Sequence, residues 1–331
     1  MRIAITGARG FVGPYVAKAL TRLSGVHAEI IATAKEGGQH PMLGSVLPLD
    51  VTDGAAVAAL IRDARPSHVV HLAGIAAVAE SNADPDTTWR VHLHGTLNLA
   101  RAILRHCPAC WLLNIGSGLV YGESAKSGLP LDETTLLAPT DEYSASKAAA
   151  DLALGAFAPR GLKCVRLRPF NHSGPGQSEA FVIPSFAMQI ARIEAGLAPP
   201  VIRVGHLDSE RDFLDVRDVA DAYALVIAKS ESIAAGTALN IASRVPRRIG
   251  DILKALLELS TKKITIVSDQ TRMRSTDTPR FIGSAERAKA LLGWSPRFKF
   301  DDTLADVLRH CRCLVSDEPQ RYTLNSENRG H

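Results

Sequence analysis

The chain has 331 residues, 46% of them hydrophobic and 22% charged, with a formal net charge of +4. That profile belongs to an ordinary folded protein and excludes global disorder. The charge is small for the length and forms no stripe, and clusters such as Arg244/Arg247/Arg248 and Arg272/Arg274 suit the phosphates of a small molecule, so no nucleic-acid partner is expected.

The pattern opens on a strand, Arg2–Thr6, with no charged-then-apolar leader before it. Gly7-Ala-Arg9-Gly10-Phe11-Val12-Gly13 follows and opens a helix over 11–23. Glycines there let the chain turn tightly and approach a pyrophosphate, which the helix N-terminus favours through its free N–H groups and dipole. A strand over 28–33 ends without the carboxylate that holds an NAD ribose; Lys35 stands there, and Arg9 and Lys35 suit a 2′-phosphate. NADP(H) is therefore expected, with NAD(H) as the alternative. Asp50 and Val51 close the next strand, 46–49, beside the adenine, and a helix spans 55–64. Leu72-Ala73-Gly74 ends the strand 68–72, where small residues admit the cofactor backbone.

A helix over 88–105 contains His92 and His94, read as satisfied structural residues. Cys107-Pro-Ala-Cys110 has no second pair at ligand spacing, so no metal is expected. Five cysteines, an odd number, argue against a secreted disulfide framework. No apolar run approaches the roughly 18–20 residues of a spanning helix, so no membrane partner and a cytoplasmic location are expected. The strand 111–115 leads to Ser117, at the strand edge where open α/β sheets bind ligands. Tyr143-Ser-Ala-Ser-Lys147 places a phenol and an ammonium on one face of a helix. Lys147 there lowers the Tyr143 pKa and holds the nicotinamide ribose, while Ser117 donates to a substrate carbonyl. Strand–helix alternation through 163–168 reads as a doubly wound parallel sheet.

After Pro169 the texture changes. Asn171-His-Ser-Gly-Pro-Gly-Gln177 leads to a helix over 182–195 and a strand over 201–204. Sheet-like sequence at 211–216, a helix over 219–229 and a strand over 238–241 return to the first pattern. A helix over 249–259, a strand over 264–267 and two late helices complete the chain. The expected division is a Rossmann domain from 1–168 with 212–243, an interleaved substrate domain from 169–211 with 244–316, and a polar tail over 317–331.

TGARGFVG, HLAG, GSGLVYG, YSASK and RPFNHSGPG resemble the motifs of extended short-chain dehydrogenase/reductases acting on nucleotide sugars, over roughly residues 1–310. The resemblance implies catalysis by Ser117, Tyr143 and Lys147, a cofactor contact at Phe170, and a homodimer through the helices at 88–105 and at Tyr143. Dehydratases of the family carry a glutamate, and fucose-pathway epimerase-reductases a cysteine, where this chain has Leu119. Simple hydride transfer then remains, either reduction of a keto-sugar or 4-epimerisation with tightly held NAD. The segments 168–177, 208–213 and 274–277 are most similar to GDP-4-keto-6-deoxy-D-mannose reductases, which implies Asn171 and Arg211 on the diphosphate-sugar, Arg274 on phosphate and Asp277 on the nucleotide ribose. The implied reaction reduces the C4 ketone of a GDP-linked 4-keto-6-deoxy sugar to GDP-D-rhamnose or its C4 epimer, GDP-6-deoxy-D-talose. A non-catalytic NADP(H) sensor is the reading from another class, and it has no need of Tyr143 and Lys147.

Overall fold

Arg2–Thr6 (β1) carries Ile3, Ala4 and Ile5 in succession, all fully buried, as a strand covered on both faces requires. The computed structural model describes residues 1–22, 28–273 and 278–327, with side chains as far as Ser316. In chain order β1 is followed by β2 (Glu29–Ala34), β3 (Gly38–His40), β4 (Gly44–Pro48), β5 (His68–His71), β6 (Trp111–Ile115) and β7 (Cys164–Pro169). Then come β8 (Asn171–Ser173), β9 (Val201–Val204), β10 (Glu210–Asp215), β11 (Thr237–Ile241), β12 (Pro246–Arg248), β13 (Thr265–Ser268) and β14 (Arg280–Phe281).

Among the described residues one large sheet has eight strands in the order β11-β7-β6-β5-β1-β2-β4-β3, parallel throughout except for β3 against β4. The chain leaves β1 toward β2 and later returns to β5 on its other side, so the strand order reverses there. Thr6 pairs with Thr33 on one side and His71 on the other, which places the crevice of a doubly wound sheet at the carboxyl end of β1.

The helices are α1 (Gly13–Thr21), α2 (Gly54–Ala64), α3 (Val78–Ala83), α4 (Pro85–Trp89), α5 (Gly95–His106) and α6 (Glu142–Phe157), then α7 (Val182–Glu194), α8 (Val216–Ala228), α9 (Ile249–Glu258), α10 (Glu286–Leu292) and α11 (Phe300–Glu327). One face of the large sheet is covered by α1, α8 and α10, through residues such as Val16, Leu20, Val219 and Leu292. The other is covered by α2, α5 and α6, through Val57, Ile61, Leu99, Ile103 and Leu154. A separate apolar cluster joins α7, α9 and α11 around Phe186, Ile190, Leu253, Leu256, Leu304 and Leu308. Beside it β10 pairs with β8, β12 and β14, and β9 with β13. No helix among the described residues is long and apolar enough to cross a membrane.

Several expected boundaries move, each for a local reason. The helix expected over 88–105 is α4, a wide π-type turn at Arg90–His94, and then α5. That turn brings His92 to Ser146 (2.8 Å) and to Ile75 N–H (3.0 Å). The helix holding Tyr143 starts at Glu142, because the Asp141 carboxylate accepts from Ser144 N–H (2.7 Å) and Ser144 Oγ reaches back in a capping box. Likewise α8 starts at Val216, with Asp215 accepting from Arg217 N–H (2.7 Å). The backbone of α11 runs from Phe300 through Glu327, and Val315 is packed in the α7–α9–α11 cluster. The short strand β3 has no periodic signal in the sequence and is an addition to the expected elements.

Candidate active site

Register and capping deliver three side chains to one place. Ser117 follows the end of β6 in extended conformation, and its Oγ accepts from Leu119 N–H at 3.1 Å. That contact leaves the Ser117 O–H to donate elsewhere. Tyr143 and Lys147 lie one turn apart in the first half of α6, and both belong with Ser117 to the wall of a single cleft of about 820 Å³. A buried fork holds this helix to the sheet: Arg168 on β7 donates to both oxygens of Asp151 on α6 (2.9 and 2.8 Å) and to Tyr121 OH (2.9 Å). Tyr121 donates in turn to Asn240 on β11 (2.7 Å).

The electrostatics differ from the sequence expectation in one respect. The sequence expects Lys147 to lower the Tyr143 pKa, yet burial pushes the phenol above its ordinary value, and a hydrogen bond with Ser117 only partly offsets this. Burial also holds Lys147 down at about 8, and its Nζ donates to Ile115 O at 3.1 Å. Beneath it, burial and the Lys147 charge hold His71 at about 3 and His92 at about 2, so both imidazoles are neutral. His92 also meets the Tyr143 ring edge-on, with centroids 5.5 Å apart. It is satisfied, as expected, but it is also the brace of the tyrosine, a role that a lone helix histidine does not advertise.

The same cleft takes in Gly7, Gly10, Phe11, Val12, Gly13, Leu72, Gly74, Phe170, Asn171 and Arg211. Gly7 has φ +68°, and a Cβ there would lie 2.6 Å from the Ala73 backbone. At Gly74 a Cβ would lie 3.1 Å from Lys147 Nζ, filling a narrow strip between the loop and the lysine. The Gly7–Gly13 loop at the start of α1 lines the same cleft, and its backbone there fits a dinucleotide diphosphate. Other expected residues stand outside the cleft. Arg9 donates to Gln39 O on β3 (3.3 Å) and lines a second cavity of about 510 Å³. Lys35 is exposed, and its charge is among the influences that lower the Asp50 pKa, after the hydrogen bonds from Thr52. Val51 is buried, its side chain packed beneath Gly95, and Ala73 underlies the Gly7 turn. Arg274 and Asp277 lie outside the described residues.

The opposite wall brings Arg203, His206, Arg211 and Arg272 to the cleft. Arg211 donates to Glu210 O (2.9 Å) and Thr278 O (2.7 Å). Its strand neighbour Asp212 is fully buried and accepts from Ser243, Arg244 and Gly283 N–H groups (2.7, 2.9 and 3.2 Å). His172 stacks on Phe11 at 6.1 Å, and its Nδ1 pairs with Phe170 O (3.0 Å), a packing role. Leu119 faces the cleft beside Ser117.

A family model described as GDP-mannose 4,6 dehydratase matches residues 4–307. GDP-6-deoxy-D-mannose reductase of Pseudomonas aeruginosa is 37% identical over 254 residues, 76% of this chain and 83% of that protein. GDP-6-deoxy-D-talose 4-dehydrogenase of Aggregatibacter actinomycetemcomitans is 27% identical over 311 residues, 90% of this chain and 93% of that protein. A solved structure of RMD from Pseudomonas aeruginosa complexed with NADPH superposes with a TM-score of 0.80 at 32% identity, covering 94% of this chain and 99% of that one. The chain therefore belongs to the GDP-mannose 4,6-dehydratase family, among the extended short-chain dehydrogenase/reductase enzymes.

Proposed function

We propose that this enzyme reduces the C4 ketone of GDP-4-keto-6-deoxy-D-mannose with NADPH, giving GDP-D-rhamnose or GDP-6-deoxy-D-talose. The observation that carries the reading is the convergence of Ser117, Tyr143 and Lys147 in one cleft whose next side chain is the apolar Leu119. A leucine neither accepts nor delivers a proton, so the site has an acid for the C4 oxygen and nothing at Leu119 for proton removal at a neighbouring carbon. Reductase and dehydrogenase names on the GDP-sugar relatives, and the NADPH bound to RMD, support the choice of substrate and cofactor.

When bound, the nicotinamide supplies the hydride. Ser117 donates its O–H to the C4 oxygen and orients the ketone. Tyr143 donates its proton to that oxygen as the C–H bond forms, leaving a tyrosinate that solvent reprotonates. The raised Tyr143 pKa suits this direction, since the phenol starts protonated. Lys147 holds the ribose, and its ammonium stabilises the tyrosinate after transfer. Gly7, Gly10 and Gly13 with the start of α1 hold the diphosphate, Leu72, Gly74 and Phe170 pack the nicotinamide half, and Asp50 meets the adenine. Arg9 and Lys35 neutralise a 2′-phosphate at the β3 edge, while Asn171, Arg211, Arg274 and Asp277 hold the GDP-sugar. The division into a cofactor domain (1–168 with 212–243) and a substrate domain (169–211 with 244–316), a homodimer and a cytoplasmic location complete the reading.

Mixing the protein with NADPH and freshly prepared GDP-4-keto-6-deoxy-D-mannose tests it. Loss of reduced-nicotinamide absorbance that vanishes in Tyr143→Phe is expected, and NMR of the product fixes the face of attack. No loss beside an active control reductase, with NAD retained through purification, would replace it with a 4-epimerase.

A further inference from the structure

Three buried side-chain polar atoms lack a hydrogen-bond partner among the described residues: Ser81 Oγ, Tyr223 OH and Arg247 Nε. Of these residues only Tyr223 borders the large cleft. It sits on α8, fully buried, in the apolar cluster beneath the large sheet. A phenylalanine would fill the same space, so the hydroxyl is an unexplained polar atom in an apolar floor. Folded proteins seldom leave such an atom unpaired unless something else pairs with it.

What would pair with it follows from its surroundings. Burial, and after it the proximity of Tyr143, keep the Tyr223 phenol neutral. It therefore offers a neutral O–H from a dry floor, which suits an amide oxygen better than a phosphate. Within the dinucleotide the diphosphate is met by the Gly7–Gly13 loop and the nicotinamide ribose by Lys147. The group left over on the Tyr143 side is the carboxamide.

We propose that the Tyr223 hydroxyl is the buried hydrogen-bond partner of the nicotinamide carboxamide, an inference that rests on the cofactor reading above. The partner forms only on binding, so the residue costs the ligand-free protein stability and returns it as cofactor affinity. The two effects of removing the hydroxyl therefore have opposite signs.

Titration calorimetry of wild type and Tyr223→Phe with NADPH and with 2′-phospho-ADP-ribose, which lacks the nicotinamide, tests this. Tyr223→Phe should weaken NADPH by about three- to tenfold, the worth of one net hydrogen bond, and leave 2′-phospho-ADP-ribose unchanged. The thermal midpoint of the ligand-free variant should rise by about 1–3 °C, because an unpaired polar atom has been removed. Equal NADPH affinity, equal weakening of both ligands, or a fall in the ligand-free midpoint would each overturn the proposal while the cofactor reading stands. Failure of the wild type to bind NADPH would remove both.

Discussion

On one wall of the cleft, Ser117, Tyr143 and Lys147 stand at the end of a five-residue parallel strand and in the first turns of a sixteen-residue helix. They are fixed by sheet register, a capping box and the Arg168–Asp151 fork. On the other wall, Arg203, His206, Arg211 and Arg272 stand on strands of four and six residues, a loop and a single 3₁₀ turn. Proton transfer needs its partners within hydrogen-bond reach of one atom, and only a rigid scaffold supplies that. Phosphate recognition by long guanidinium arms tolerates looser support. On the proposed reading, the rigid wall sets the chemistry and the looser one the substrate.

Substitutions on the two walls should fail in different ways. The largest effect belongs to Tyr143→Phe, which should lower kcat by about 10²–10⁴-fold while NADPH affinity changes little, as stopped-flow and calorimetry would show. An equal collapse of affinity would mean that Tyr143 itself carries binding as well as proton transfer. Next, Asp151→Ala should destabilise the fold by about 3–5 kcal/mol, because it strands the buried Arg168 guanidinium; urea unfolding measures this. Arg211→Ala, on the other wall, should raise KM for the GDP-sugar roughly 10- to 100-fold and cost only about 1–3 kcal/mol in urea unfolding, from the lost bonds to Glu210 O and Thr278 O.

The last effect, a gradual one, is on pH dependence. Lys147 has its pKa lowered from 10.5 to about 8 in the fold. Below pH 8 folded and unfolded chains both carry that proton. Between 8 and 10.5 the unfolded chain holds more of it, so this residue makes stability rise with pH across the window, by up to ~1.4 kcal/mol per unit. Thermal melts of wild type against Lys147→Met should show that slope disappear. Over the same window kcat/KM should fall as the ammonium is lost, opposite in sign to the stability change.

Much of the first wall is legible in the sequence because its signals are local. A glycine loop between strand and helix, a strand-end serine and a four-residue Tyr–Lys spacing each state their geometry within one element. The importance of His92 is hidden, because its contact with Tyr143 depends on a π-type turn, and nothing in residues 90–94 marks an extra residue in the helix. Tyr223 is further from view still, since it reaches the floor of the site from a helix beyond β10. Arg9 and Lys35 read in the sequence as one phosphate clamp, while the strand β3, whose Gln39 carbonyl accepts from Arg9, is not legible there. The second wall is legible as charge and not as shape, because short strands such as β12 and β14 have no periodicity to detect.

The edge strand β11 has a bearing on synthesis. Thr237–Ile241 pairs along the whole of β7, and Gly236 N–H bonds Cys164 O at 2.7 Å. A nascent chain that has emerged through Ser173 already contains Ser117, Tyr143 and Lys147, yet β7 then ends the sheet with its outer N–H and C=O groups open. Such an edge invites pairing with other chains until the ribosome has delivered the residues from 174 through β11. Closure of the sheet that positions Ser117 and Tyr143 thus waits, during synthesis, on a stretch of chain that also carries Arg203, His206 and Arg211 of the facing wall.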